Sequence, residues 1–393
     1  MLNVQELPQP SASAQAISSQ LIKHIRHAIA SSDGHIGFDE YMRLALYEPG
    51  LGYYLAGAVK FGVDGDFVTA PEISPLFGHA IARQCAEVLE ETGGDVFEIG
   101  AGTGCLASHA LNELAKIGAP LRQYKILELS PMLREQQRQS IGQFAPTMLE
   151  RVEWITTIPG APIDGVILAN EIVDALPVKL FKTVDGVVFE RRVQFLEGRF
   201  TWIDIAADEP LSDVVFARLG SDIMESGRAY VSEINVGVEP WVADLSRVMG
   251  SAVALLIDYG FVRSDYYRRE RESGTLMCHF RHRKHNDPFL YPGLQDITAS
   301  TDFTAVAEAA DSCELQVAGF TEQTNFLLGC GLLEEVERLS QTATAKELAR
   351  FAYETKVLTL PSEMGTRFKV MALAKGYNFP LRGFHRRDDR HRL

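Results

Sequence analysis

The chain has 393 residues, of which 46% are hydrophobic, and its 52 acidic and 38 basic side chains give a formal net charge of −14 at pH 7. This composition is typical of a globular protein with one large or two smaller domains, and the negative charge disfavours general binding to nucleic-acid phosphates. The five cysteines are scattered and form no CxxC pair, which argues against a disulfide framework or a zinc knuckle and favours a reducing compartment.

The N-terminal part of the chain is predicted to contain a lead, two helices and a long loop. Residues 1–15 carry neither the pattern of a secretory signal nor that of an Arg-rich transit peptide, so we expect a short disordered lead and a cytoplasmic protein. Within residues 16–80, apolar residues at helical spacing predict helices over 16–30 and 38–46. Residues 50–74 are rich in glycine and aromatic residues, which indicates an ordered loop or a lid over an active site.

From residue 81 onward, strands and helices alternate. The predicted strands are 96–99, 124–129, 152–155, 165–169 and 252–258, and the predicted helices near them are 75–91, 106–116 and 131–139. This alternation implies right-handed crossovers and a parallel, doubly wound sheet, so the predicted fold class is α/β. Two further strands within residues 187–206 predict a β-hairpin, which places an insertion at about residues 185–232 in a core of residues 81–262.

Residues 263–376 are predicted to complete the sheet. A loop over 263–292, helices around 303–310, 331–340 and 343–353, and a strand over 368–373 are expected here. The histidines from His279 to His285 lie in a long basic loop with no carboxylate pair beside them, so no metal site is expected. Residues 377–393 are expected to form a basic tail, in which the segment RGFHRRDDRHRL (382–393) is expected to be disordered. No apolar run approaches the roughly 20 residues of a membrane helix, so no membrane insertion is expected.

The segment Gly100–Gly104 stands between a predicted strand and a predicted helix. Its sequence GAGTG lacks Cβ atoms at three positions, so the backbone can turn sharply and approach a ligand at the positive end of the helix. The GxGxG spacing differs from the GxGxxG that holds a dinucleotide pyrophosphate, and the GK[ST] of a P-loop is absent from this segment. The segment is therefore a candidate cofactor loop, and a tight turn without a ligand is the alternative.

Two carboxylates near this loop favour S-adenosylmethionine as the cofactor. Glu98 precedes the loop, where an acidic group suits the amino or sulfonium cation of this cofactor and is unfavourable for a phosphate. Glu128 ends the next strand, where a carboxylate can accept both ribose hydroxyls. An NAD(P)-dependent oxidoreductase on a similar sheet is the alternative, although the loop spacing and Glu98 speak against it.

The fourth predicted strand ends in Asn170-Glu171-Ile172-Val173-Asp174. In open α/β sheets ligands lie beyond the carboxyl ends of the strands, so Asn170 and Glu171 are expected to border the methyl donor. Asp174 follows one helical step later and can face the same space. A pair of carboxylates beside a methyl sulfonium suggests a nitrogen nucleophile. The alternative is that Asp174 caps a helix and Glu171 faces water.

Eight segments between residues 38 and 376 carry a resemblance to a known family. They read FDEYMRLALYEPGLGYY, GDFVTAPEIS, EIGAGTG, LELSPMLREQQ, NEIVDALP, LLIDYG, HNDPFLYPGLQDIT and LPSEMGTRFKVMALA. In these segments the chain resembles the MidA family, the complex I assembly-factor methyltransferases of mitochondria and their bacterial relatives. The resemblance implies a class I, Rossmann-like methyltransferase that uses S-adenosylmethionine and has a mostly parallel seven-stranded sheet. It also implies a protein substrate, because the mitochondrial members methylate arginine on a subunit of complex I, the respiratory NADH dehydrogenase.

The chain departs from the family pattern at three places. The glycine loop reads GAGTG where the family usually has GPGRG, NEIVD replaces Asn-Glu-Phe-Phe-Asp, and Ile155-Thr156 follow Trp154 in place of a His-Asp pair. The cofactor chemistry is compatible with these changes. A non-catalytic assembly scaffold that keeps the cofactor pocket is a further alternative.

The predicted site combines two sets of residues. Carboxylates can orient a guanidinium and hold its charge on the nitrogens that do not attack, and the catalytic candidates are Glu171, Asp174, Glu72 and Asp66. The predicted cofactor-binding residues are Glu98, Gly100, Ala101, Gly102, Gly104, Glu128, Leu129, Trp154, Asn170 and Glu171. The predicted walls of an acceptor channel are Tyr53, Tyr54 and Phe67, and packing of these rings between the N-terminal helices and the sheet is the alternative.

Overall fold

The computed structural model describes residues 7–56 and 69–393, which divide into two units built from interleaved segments. The first unit combines Met1–Phe67, Asp174–Val238 and Phe261–Asp302, and the second combines Val68–Val173, Glu239–Gly260 and Phe303–Leu393. The predicted division into consecutive segments differs from this arrangement, because each unit draws on parts of the chain that are distant in sequence. Within residues 7–56 and 69–393, no helix has both the length and the apolar character to cross a bilayer.

The helices and strands have the following bounds. The helices are α1 (Ala12–Ala30), α2 (Phe38–Tyr47), α3 (Ala70–Ile73), α4 (Pro75–Thr92), α5 (Cys105–Lys116), α6 (Pro131–Phe144), α7 (Glu209–Arg218), α8 (Ser221–Met224), α9 (Val238–Val248), α10 (Arg263–Tyr266), α11 (Phe303–Ser312), α12 (Gln323–Gly329), α13 (Leu332–Ser340) and α14 (Ala345–Thr359). The strands are β1 (His35–Gly37), β2 (Asp95–Ile99), β3 (Tyr124–Leu127), β4 (Val152–Ile155), β5 (Ile163–Asn170), β6 (Lys179–Val184), β7 (Val187–Leu196), β8 (Arg199–Ala206), β9 (Tyr230–Ile234), β10 (Met249–Phe261), β11 (Met277–Phe280), β12 (Arg283–His285), β13 (Asp296–Thr298), β14 (Thr301–Asp302), β15 (Gln316–Glu322) and β16 (Phe368–Lys375).

The second unit contains seven strands in the order β15-β16-β10-β5-β2-β3-β4. Neighbours from β10 to β4 pair in parallel, whereas β16 is antiparallel to both β10 and β15. The middle strands are apolar runs, such as IDGVILAN in β5, as expected for a parallel sheet whose two faces are both covered. The predicted fold class, a Rossmann-like α/β sheet of seven mostly parallel strands, is confirmed.

The strand order brings the carboxyl ends of β2, β3 and β5 to one edge of the sheet. From β2 the chain proceeds outward to β3 and β4, and it then returns to β5 on the other side of β2. Ile99 at the end of β2 lies beside Leu127 of β3 and Ala169 of β5. Such a reversal of strand order opens a crevice in which ligands of α/β proteins bind. The predicted site residues that follow these three strands therefore lie at the same edge.

The C-terminal residues 382–393, predicted to be disordered, are folded. Phe384 is 6% exposed, and its ring lies 5.4 Å from that of Phe326 in α12, measured between centroids. Arg390 donates from Nη1 to the carbonyl of Val317 in β15 at 3.0 Å. The prediction is wrong because it weighed the basic residues of this segment and not the apolar ones between them.

The first unit is built on an antiparallel sheet in the order β1-β7-β6-β9, with β8 paired to β7. The predicted hairpin is present as β7 and β8, but β6 and β9 extend it, so the insertion is larger than residues 185–232. A smaller sheet, β12-β11-β13, overlaps the region predicted as a loop. The side chain of Ser11 accepts from the N–H of Ala14 and starts α1 at Ala12, so the last residues of the predicted disordered lead are helical.

Candidate functional site

The glycine loop connects the end of β2 to the start of α5. Gly100, Gly102 and Gly104 have φ angles of +66°, +53° and +82°, which L side chains rarely adopt. A Cβ at Gly104 would lie 2.9 Å from the Cα of Gln137, so α6 packs directly on the loop. Ala101 is 7% exposed. The start of α5 has no side-chain cap, so its N–H groups are available to a ligand.

Glu128 follows β3 and is 8% exposed. One carboxylate oxygen accepts from the N–H of Ser130 at 2.9 Å, and the other accepts from the side-chain amide of Gln137 at 3.1 Å. Burial raises the pKa of Glu128, and the hydrogen bonds and Arg134 oppose this rise. A carboxylate fixed in this way keeps lone pairs for two further hydroxyls, which suits a ribose. Leu129 beside it is 58% exposed.

Gln137 of α6 joins the glycine loop to Trp154 of β4. Its amide nitrogen donates to the carbonyl of Gly102 at 2.9 Å, and the indole N–H of Trp154 donates to its amide oxygen at 2.9 Å. Sequence reasoning missed Gln137, although a signal was present. It stands four residues after Leu133 and four before Ile141, on the buried stripe of α6, and a polar side chain in such a stripe has buried partners to satisfy.

Asn170 and Glu171 end β5 in a turn with a left-handed backbone. Glu171 has φ +54°, and its N–H donates to the carbonyl of Ile257 at 2.8 Å. Such a conformation costs a non-glycine residue about 1–2 kcal/mol, and strained residues of this kind cluster at functional sites. The amide nitrogen of Asn170 donates to Glu171 at 3.3 Å. Its Oδ1 is buried, and no donor in residues 7–56 or 69–393 bonds to it, so this oxygen suits the ammonium group of a ligand.

Glu98 is buried next to the glycine loop. Its side chain is 2% exposed and accepts from the hydroxyl of Tyr124 at 2.7 Å. Burial raises the pKa of Glu98 to about 7, the bond from Tyr124 opposes the rise, and Glu128 adds to it. The carboxyl group is therefore partly protonated at neutral pH. Its direct contact with a cofactor cation stays a prediction.

Two of the four predicted catalytic carboxylates, Glu171 and Glu72, belong to the second unit. Glu72 in α3 accepts from the hydroxyl of Thr103 at 3.2 Å, which places it against the glycine loop. Asp66 and the predicted wall residue Phe67 lie outside the described residues. Of the predicted catalytic carboxylates, Glu171 and Glu72 therefore lie at the cofactor edge of the second unit.

Asp174 belongs to the first unit and is 5% exposed. The residues after β5 form turns, so the helical step expected before Asp174 is wrong. The rings of Tyr47 and Tyr54 stack with their centroids 5.5 Å apart. Burial raises the pKa of Tyr47, and the nearby carboxylates of Asp296 and Asp174 add to this rise. Tyr53 is 2% exposed and packs in the apolar cluster of this unit. For this ring the structure agrees with the alternative of aromatic packing and not with a channel wall.

A buried cluster of titratable groups lies elsewhere in the second unit. His79, Glu113 and Glu335 place possible metal-ligating atoms within 4.8 Å of one another. Arg83 pairs with Glu113 at 3.0 Å and with Glu335 at 2.6 Å, and Arg338 pairs with Glu335 at 2.6 Å. These guanidinium groups neutralise the carboxylates, so the cluster is an internal ion network.

The cofactor edge of the second unit fits S-adenosylmethionine. The fixed carboxylate of Glu128 suits the ribose, the glycine loop allows close approach of the backbone, and the buried Oδ1 of Asn170 suits the amino group. The fold and this site together define a class I methyltransferase that depends on S-adenosylmethionine.

Comparisons with known proteins lead to the same class. Residues 80–321 match the family model "Putative S-adenosyl-L-methionine-dependent methyltransferase", and the chain belongs to this family. A crystal structure from Burkholderia thailandensis bound to S-adenosyl-homocysteine is 40% identical, covers 99% of this chain and 100% of that chain, and superposes with a TM-score of 0.93. A native crystal structure from the same organism is 38% identical over the same shares, with a TM-score of 0.91.

Curated relatives agree with these structures. The protein arginine methyltransferase NDUFAF7 homolog of Drosophila melanogaster is 29% identical over 96% of this chain and 92% of its own length. Protein arginine methyltransferase NDUFAF7 of Xenopus tropicalis is 30% identical over 94% of this chain and 88% of its own length. The family resemblance, the methyltransferase activity and the cofactor predicted from the sequence are confirmed. The NAD(P)-dependent alternative is wrong, because both the family and the bound ligand of the solved relative belong to methyl transfer.

Proposed function

We propose that this methyltransferase acts on an arginine side chain of a protein. Relatives named protein arginine methyltransferase align with 96% and 94% of the chain. The observation that carries the proposal is Glu171, a carboxylate held by a left-handed backbone and by Ile257 at the carboxyl edge of the sheet. It lies next to Asn170, whose buried oxygen suits the cofactor, so a group bound by Glu171 is close to the methyl donor.

The reaction requires alignment more than activation. S-adenosylmethionine supplies a methyl group on a sulfonium, and a C–N bond forms as the C–S bond breaks. Correct positioning of the two reactants can contribute about 7–11 kcal/mol. Arginine resists deprotonation because the pKa of its guanidinium exceeds about 12. Glu171 and Glu72 would accept its N–H groups and favour positive charge on the nitrogens that do not attack.

Transfer of a labelled methyl group tests this proposal. The protein is incubated with labelled S-adenosylmethionine and an extract of cells that lack it. We expect a discrete labelled protein in which mass spectrometry places the methyl group on arginine. Glu171→Gln is expected to abolish the label, and Gln136→Met, on the exposed face of α6, to leave it unchanged. A methyl group on another residue type would overturn the arginine acceptor. A wild-type protein that binds the cofactor and labels nothing would indicate a non-catalytic scaffold.

We further propose that the acceptor is a subunit of respiratory complex I or of its bacterial counterpart, and that the protein acts in the cytoplasm. The resemblance to the MidA family supports this acceptor. The scattered cysteines support a reducing compartment such as the cytoplasm, although the curated relatives are named mitochondrial. Mass spectrometry of NADH dehydrogenase purified from cells with and without this protein tests the acceptor, and cell fractionation tests the location. An identical methylation pattern in both preparations would exclude this acceptor.

A further inference from the structure

We propose that Gln137 is a positioning residue for the cofactor, because its amide couples ribose recognition by Glu128 to the backbone shape of the glycine loop. This proposal goes beyond the methyl acceptor and concerns cofactor binding alone. It rests on three hydrogen bonds of one buried amide and on the close packing of α6 against the loop.

The side-chain amide of Gln137 is 0% exposed. Its Nε2 has two N–H groups and two acceptors, the carbonyl of Gly102 at 2.9 Å and Oε2 of Glu128 at 3.1 Å. Its Oε1 accepts from the indole N–H of Trp154 at 2.9 Å. One side chain therefore joins three separate segments of the chain. Gly102 follows β2, Glu128 follows β3, and Trp154 lies in β4.

The partners determine which way the amide faces. An indole N–H only donates, whereas a backbone carbonyl and a carboxylate only accept. If the amide turned over, its NH₂ would face the N–H of Trp154 and its oxygen would face the two acceptors. Gln137 is therefore held in one orientation. A glutamate at this position would place a second carboxylate against Glu128, and an apolar side chain would leave all three partners unsatisfied.

This arrangement links the two parts of the cofactor site. Glu128 receives one bond from Ser130 and one from Gln137, so its remaining lone pairs point in a set direction that two ribose hydroxyls can use. The carbonyl of Gly102, where φ is +53°, bonds to the same amide. Gly104 has no room for a Cβ because the Cα of Gln137 lies 2.9 Å from that position. Loss of the amide would release the carboxylate and the loop together.

Helix α6 provides a matched control for the test. Gln136 is exposed and Gln137 is buried, so Gln136→Met and Gln137→Met make the same chemical change in two environments. Calorimetric titration with S-adenosyl-homocysteine is expected to show a Kd about 10- to 100-fold higher for Gln137→Met, because a bond to a charged carboxylate is lost. Gln136→Met is expected to stay within twofold of the wild type. At saturating S-adenosylmethionine, kcat of Gln137→Met is expected to stay within about threefold, because the chemical step does not use the amide.

The ribose itself separates positioning from a merely structural role. The wild type is expected to bind S-adenosyl-homocysteine about tenfold more tightly than its 2′-deoxy analogue, since Glu128 then loses one hydroxyl. In Gln137→Met this ratio is expected to fall below threefold, and an unchanged ratio in the folded variant would overturn the proposal. If Gln137→Met fails to fold, Trp154→Phe keeps an aromatic ring at this position and removes the N–H that orients the amide. The ratio is then expected to fall in the same direction, and an unchanged ratio would again overturn the proposal.

Discussion

Replacement of Glu98 by glutamine is expected to stabilise the protein increasingly as the pH rises. Burial raises the pKa of Glu98 from 4.5 to about 7, so between these values the folded protein keeps a proton that the unfolded chain has lost. The contribution of Glu98 to stability is therefore fully present below pH 4.5, weakens by about 1.4 kcal/mol per pH unit up to about pH 7, and levels off above that pH. From pH 5 to pH 8 the loss amounts to about 2.5 kcal/mol. A neutral glutamine avoids this loss, and its oxygen can still accept from Tyr124.

Urea unfolding followed by circular dichroism between pH 5 and pH 8 measures this effect. The free energy of unfolding of Glu98→Gln minus that of the wild type is expected to rise by about 2.5 kcal/mol across this range. Glu90→Gln, exposed near the end of α4, controls for the loss of one acidic group from a chain of net charge −14. A difference for Glu98→Gln that stays constant with pH would refute the reasoning, because the folded carboxyl would then ionise as it does in the unfolded chain.

Four further substitutions test the site and the fold. Glu171→Gln is expected to lower kcat by about 100-fold or more while the Kd of S-adenosylmethionine changes only a few fold, and equal losses in kinetics and calorimetry would contradict its role at the acceptor. Glu128→Ala is expected to raise that Kd about 10- to 100-fold, and an unchanged Kd would remove it from the ribose site. Gly104→Ala is expected to lower the free energy of unfolding by about 1–2 kcal/mol, because residue 104 has a φ of +82°. The new Cβ is also expected to displace Gln137 and so to weaken cofactor binding. Normal cofactor binding by a stable variant would contradict the described contact. Phe384→Ala is expected to cost about 3–5 kcal/mol in urea unfolding, and a loss below about 1 kcal/mol would contradict the packing of the C-terminal residues.

Local sequence patterns were sufficient to predict the parallel sheet. The strands β5 and β10 are apolar runs, and α5 follows the glycine loop with a clear helical period. The edge that holds Glu128 and Asn170 followed from the alternation of strands and helices alone, because the carboxyl ends of parallel strands lie on one side. The glycine pattern then indicated which of these ends approaches a ligand.

Features that depend on distant segments could not be read from those patterns. The sheet of the first unit pairs β1 with β7, and β6 with β9, across long stretches of sequence. Gln137 stands in a helix whose residues are mostly polar, and its burial depends on Gly102 and Trp154 from other segments. Phe384 is buried against Phe326 of α12 and Gly319 of β15, which are both distant in sequence. In each case the contact joins residues that are far apart in the chain, and the local sequence around one residue does not indicate its distant partner.

The last strand of the chain, β16, lies between β10 and β15 in the sheet. During synthesis the ribosome needs on the order of 10 s to pass from β10 to β16, and for that time the flank of β10 that β16 will cover has unpaired backbone groups. The nascent protein therefore passes through a partly assembled state whose exposed sheet edge promotes aggregation, and a chaperone can protect this edge. Chains that end before β16, whether translated from a shortened messenger RNA or produced by proteolysis, are expected to aggregate and not to form a smaller active enzyme.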